Sequence, residues 1–123
     1  MTATDLEFKE GCKQVSEKYC QWILAQKKLQ KEPIYGKALL FSGDLKMSRN
    51  DLEAEAIPFF VRYIEMFGKE RDIRRAKYRL AQCYLKLGEL SKAERLYNEL
   101  KSKEDMYSEF LLNKIENFKN KGR

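Results

Sequence analysis

The chain offers three thiols, no imidazole, and two arginines one helical turn apart. Without histidine, neither a Ser-His-Asp nor a Cys-His nucleophilic arrangement can be assembled. Cys12, Cys20 and Cys83 are odd in number and widely spaced, with no C-x-x-C pair. They describe neither a disulfide framework nor a familiar zinc site, and they fit a reducing compartment and small core positions. No Gly-rich phosphate loop is present. Asp51, Glu53 and Glu55 cluster at a predicted helix start, where negative charge favours the helix dipole without any reaction being needed. Arg75 and Arg79 are different. Two guanidinium groups on one helix face suit carboxylates through bidentate bonding; a solvated helix face is the plainer reading of the same pair. The chemistry on offer is recognition rather than catalysis, and no metal or cofactor is expected.

At 123 residues the chain is read as one domain, 1–123, with enough length for a single core. Its longest apolar run, Ile57 to Val61, is far short of the roughly 20 residues a membrane span needs. No basic-then-apolar N-terminal signal is visible. Net charge is +6. That suits an acidic protein partner, nucleic acid or an anionic membrane surface. The excess is local, in Lys69 to Arg79 and in Lys114 to Arg123.

Helical periodicity runs through the chain, and strand alternation is absent over any useful length. A first helix is expected over about 5–31, with Phe8, Cys12, Val15, Tyr19, Trp22, Ile23 and Leu29 as its buried stripe and Pro33 as its stop. Gly11 weakens its start by about 1 kcal/mol relative to Ala. A second helix spans about 34–47, with Tyr35, Ala38, Leu39, Phe41 and Leu45. Asn50 and Glu53 resemble a capping box ahead of the third helix, about 51–67. That helix is apolar nearly all round, which places it centrally, although Pro58 is awkward inside it. The last helix, about 105–120, carries Met106, Tyr107, Phe110, Leu111, Ile115 and Phe118.

The stretch from Ala76 to Leu100 is the most informative. Ala76, Leu80, Ala81, Cys83, Tyr84 and Leu87 fall on one helical face. Gly88 supplies the left-handed residue that ends it. Ser91 and Glu94 are spaced as a capping box for the next helix, whose apolar face is Ala93, Leu96, Tyr97 and Leu100. Tyr78, Leu80, Ala81, Tyr84, Gly88, Ala93 and Tyr97 stand at the spacing of the tetratricopeptide repeat, which this segment resembles. The usual tryptophan position falls on Lys77 and the usual terminal proline on Asp105. The resemblance implies repeats at about 34–67 and 72–102, capped by the last helix: an all-α, six-helix antiparallel bundle or short superhelix.

The whole pattern, and Lys86 to Leu100 (KLGELSKAERLYNEL) above all, is similar to the cytosolic domain of the mitochondrial fission 1 family. In that family a helix precedes two degenerate repeats and a sixth helix caps them. The resemblance implies a non-catalytic adaptor on the cytosolic face of the mitochondrial outer membrane or on peroxisomes, recruiting a dynamin-type GTPase. The family carries a C-terminal membrane anchor, whereas this sequence ends at Arg123 without one. The family's Ala-Trp pair in helix two is represented here by Phe41 and Ser42-Gly43.

In such arrays the inner face comes from the first helix of each pair. That assigns Arg75, Tyr78, Arg79, Gln82, Leu85 and Lys86 to a peptide-binding groove, with Leu40, Phe41, Asp44 and Met47 opposite. An apolar end and a basic end suit an amphipathic or acidic peptide. Arg75 and Arg79 also resemble half of the carboxylate clamp of some repeat proteins. Two further readings stay open: a soluble adaptor for an acidic peptide unrelated to fission, and a basic nucleic-acid-associated protein. The first ten residues bury little, and by the ordering cost of backbone they are expected to be marginally held and to gate the groove.

Overall fold

Helix α1 occupies residues 16–24 of the computed structural model, which describes residues 16–49, 52–69 and 72–121. It ends seven residues before the expected point. The Ala25 N–H donates to both Gln21 and Trp22 carbonyls, and the Gln26 N–H donates to Ile23, three residues back. Such tightening is how a helix runs out. Gln26 then turns extended, and a short 3-10 turn, Lys27–Leu29, brings Leu29 half-buried against the core. Between Leu24 and Leu29 a continuing helix would have only the small Ala25 to bury, so packing favours the bend. Cys20 and Ile23 are buried, but Tyr19 and Trp22 are 56% and 57% exposed. Neighbouring helical residues point about 100° apart. A helix packed along one narrow edge therefore buries one pair and leaves the other outside, and the expected stripe was too broad. Phe8, Gly11, Cys12, Val15, the gating segment and the Asn50 capping box lie outside the described residues.

Helix α2, Pro33–Met47, begins on the proline itself. At that first position the missing N–H would have had no helical partner in any case. Its buried side includes Gly36, Ser42 and Gly43. A Cβ added at Gly43 would stand 2.6 Å from the Phe60 ring, and one at Gly36 would stand 3.1 Å from Tyr63. The glycines let aromatic side chains of the next helix lie on the α2 backbone. The aromatic that fills the place beside Ser42-Gly43 is thus Phe60, not Phe41, which points outward.

Helix α3, Glu53–Met66, runs through Pro58, which is exposed, as is the Ala54 whose carbonyl it leaves without a helical donor. Only Ala56, Phe60 and Tyr63 are buried. The expectation that this helix is central is corrected. Its apolar excess is spread over half-buried flanks, and Met66 faces solvent. The centre is α4, Ile73–Lys86, which packs against α2, α3, α5 and α6. Ala76 and Ala81 are fully buried there, small enough for four neighbours to approach.

Gly88 has φ +79°. The Glu89 N–H donates to Tyr84 at 2.8 Å and the Gly88 N–H to Leu85 at 3.1 Å, which is the Schellman pattern of helix closure. Leu87, expected on the buried face, sits in this closure and is exposed. Helix α5, Leu90–Leu100, starts directly afterwards with Glu89 as N-cap and no side-chain cap bond. Ser91 is therefore inside the helix, and the expected Ser91–Glu94 box does not form.

Helix α6, Met106–Lys121, turns Ser108, Leu111 and Ile115 inward. Met106 and Phe110 are exposed, against expectation, because Ser108 takes the buried position between them. Ser108 is there as a cap. Its N–H donates to Asp105 Oδ1 at 3.1 Å, and the Asp105 N–H donates to Ser108 Oγ at 3.2 Å. This is a reciprocal capping box with Asp as N-cap and Ser three residues on, in place of the usual Ser-x-x-Glu. The architecture is all-α: six helices, consecutive ones packed on one another, with no strand among the described residues. No helix among those residues is long and apolar enough to cross a membrane.

Candidate peptide-binding groove

Asp44 reaches from α2 to the two arginines of α4. It accepts a hydrogen bond from Arg75 Nη2, and its second oxygen stands 3.5 Å from Arg79 Nε. That second contact lacks hydrogen-bond geometry although both atoms are shielded from solvent. Arg79 Nη1 also donates to Gln82 Oε1 at 3.4 Å. One carboxylate thus spans two guanidinium groups, and all three side chains are partly exposed. The structure brings Arg75, Arg79, Gln82 and Asp44 together as an internal tie between α2 and α4. The guanidinium groups are already engaged.

Tyr78 is buried under α6. Its ring centroid lies 5.7 Å from Tyr107 and 6.4 Å from Phe110. Burial pushes its phenol above the ordinary range. Leu40 is also buried. Both belong to the core, and neither lines the open surface that other expected residues share. Phe41 lies on a different side of α2, against α1. Three of the ten expected residues, Met47, Gln82 and Lys86, remain on a common open surface, and Leu85, 8% exposed, shows only an edge there.

That surface is a cleft of about 430 Å³ between the ends of α2, α4 and α6. Met47, Leu85 and Phe118 form its apolar part. Lys86, Lys114 and Lys121 stand around it with Glu53 as the one acidic side chain, and Gln82 and Asn117 add amide donors and acceptors. The contribution of α6 was missed in the sequence. Lys114, Phe118 and Lys121 follow i, i+4, i+7, a single helix face, but nothing local says that α6 folds back over α4 instead of extending the stack.

What brings α6 there is a clasp built on Arg74. Its Nε donates to Asp105 Oδ2 at 2.5 Å and its Nη2 to Oδ1 at 2.9 Å. Nη2 also donates to the Leu100 and Lys103 carbonyls, at 2.8 and 3.1 Å. One side chain therefore joins the start of α4, the end of α5 and the N-cap of α6. The Arg74 guanidinium is the main reason Asp105 is held down to about 2, and backbone donors of the α6 cap add to it.

Cys20 and Cys83 are buried and free. Burial raises both, and Cys83 is pushed up to about 12. Neither is poised as a thiolate nucleophile. No group of three or more potential metal ligands occurs among the described residues. No family model, curated protein or solved structure matches the chain.

Proposed function

We propose that this chain is a non-catalytic adaptor whose cleft between α2, α4 and α6 takes an acidic, amphipathic helical peptide. One observation carries the reading: an apolar strip of Met47, Leu85 and Phe118 framed by three lysines and a single carboxylate. A helix laid in such a cleft places apolar residues at i, i+3 or i+4 against the strip and acidic residues toward Lys86, Lys114 and Lys121. The helix order gives two consecutive pairs, α2–α3 and α4–α5, followed by α6. With the Lys86–Leu100 motif, this supports a receptor resembling the fission 1 family, recruiting a dynamin-type GTPase or its adaptor on the outer face of mitochondria or peroxisomes.

The test uses the full chain and a labelled synthetic helix with Leu on one face and Glu on the other. Lys114→Glu with Lys86→Glu should weaken binding at least tenfold, while Lys101→Glu with Lys103→Glu should leave it unchanged. Binding that survives the first pair would sink the proposed cleft. Single-stranded RNA is the control for the nucleic-acid reading. Tight RNA binding at physiological salt, lost steeply as salt rises through counterion release, would favour that reading instead. Pull-down of a dynamin-type GTPase, lost in the Lys86–Lys114 variant, would tie the cleft to fission.

A further inference from the structure

A second surface lies between α1 and α2, on a side of α2 different from Met47. Tyr19 and Ile23 from α1 and Ile34, Ala38 and Phe41 from α2 line an open, apolar groove of about 360 Å³, with Lys37 at its edge. Four large apolar side chains stand out on this face: Trp22 and Tyr19, with ring centroids 6.2 Å apart, Ile34 and Phe41, the last two 40% and 41% exposed. A patch of this kind marks an interaction surface.

The charge around it says what covers it. Lys18 on α1, Lys37 on α2, and Lys27, Lys28 and Lys31 in the segment joining them are all exposed, and none forms an ion pair among the described residues. The two acidic residues of the same region do not offset them equally. Glu17 faces the other way, bound to Arg49 through both oxygens at 3.2 and 2.7 Å, with Lys46 at 3.7 Å. Only Glu32 stays exposed. The groove has almost nothing to align a peptide backbone: apart from Lys37, its one polar side chain is Ser16. Amphipathic aromatic rings on two helices that, with the segment joining them, carry five exposed lysines on long stems match the interface of a bilayer, where the rings sit at headgroup level and the ammonium groups meet phosphate and carboxylate.

We infer that the α1–α2 face docks on an anionic phospholipid bilayer, with Tyr19, Trp22, Ile34 and Phe41 entering the headgroup region. The occupant is the lipid surface, and the site is separate from the peptide cleft.

Trp22 is the only tryptophan in the chain, so its emission reports on this face alone. The full chain is titrated with phosphatidylcholine vesicles with and without phosphatidylserine. The expected result is a blue shift with the phosphatidylserine vesicles only, reversed by raised salt. A lysine near an anionic surface multiplies partitioning roughly fivefold. Lys18→Gln with Lys37→Gln should therefore lower it roughly 25-fold, whereas Lys114→Gln with Lys121→Gln should change it little. No blue shift with anionic vesicles overturns the inference. So does co-sedimentation without a shift, which would mean that another basic face binds. A shift produced by the acidic helical peptide and not by vesicles would overturn it in favour of a protein partner.

Discussion

Asp105 shows how much one side chain can be asked to hold. Its carboxylate receives Arg74 and caps α6 at once. Removing it takes away a cap and two charge-assisted bonds, so Asp105→Ala should cost about 2 kcal/mol at neutral pH. The acid dependence follows from a folded-state value of about 2 against an ordinary value of 3.8. A depressed carboxylate contributes its full stability above the unfolded value and loses it as pH falls through the folded one. Wild type and Asp105→Ala should differ by a constant amount above pH ~5 and converge as pH drops toward ~2, which urea titrations across that range would show. A difference that persists unchanged at the acid end would mean the clasp is not electrostatic. Leu80 is a simpler case. It is 5% exposed in the core with α5 alongside, and Leu80→Ala should cost roughly 2–5 kcal/mol. An unchanged urea midpoint would contradict its burial.

Among the elements, α2 and α3 depend on the absence of a methyl group. Gly43→Ala would place a Cβ against the Phe60 ring, and the helices would have to separate at an expected cost of about 1–3 kcal/mol. Phe60→Leu in the same chain should recover part of that loss, and additive losses in a double-mutant cycle would show that the two positions do not touch. Gly88→Ala is expected to cost about 1 kcal/mol for a different reason: space is free there, but φ +79° is not comfortable for a side chain. This pair also shows what was legible. Gly88 could be read because a glycine after a periodic apolar face is a local signal. Gly43 could not, because its partner lies on another helix. The same division holds elsewhere. Helices α2 to α6 were visible within a few residues from periodicity, including the start of α6, expected at about 105 and found at Met106. The early end of α1, the outward turn of Tyr19 and Trp22, and the direction of α6 depend on which neighbour is nearest. Met47, Gln82, Leu85 and Lys86 touch one cleft, and helical register alone is enough to group the last three on one face of α4. Arg75, Arg79 and Asp44 have register too, but their charges complement one another across helices, which no spacing on either helix announces.

At the scale of the whole molecule, binding and stability should separate cleanly. The lysines around the cleft are not part of the ties that hold the helices: Asp44 with Arg75 and Arg79, Glu17 with Arg49, and Arg74 with Asp105. Lys86→Glu with Lys114→Glu should therefore shift thermal unfolding by no more than a degree or two while peptide affinity falls. A large drop in melting temperature would mean that the cleft is structural. The central position of α4 has a consequence in time. Every neighbour it touches must leave before its amides meet water, so exchange of its backbone hydrogens with deuterium should proceed only through complete unfolding. Helix α1 lies at the edge, held by Cys20, Ile23 and a few half-buried contacts. Its amides should exchange through a smaller, local opening, orders of magnitude sooner. The molecule would then have a slow clock at its centre and a fast one at its rim, with the rim clock set by the same helix that carries Trp22.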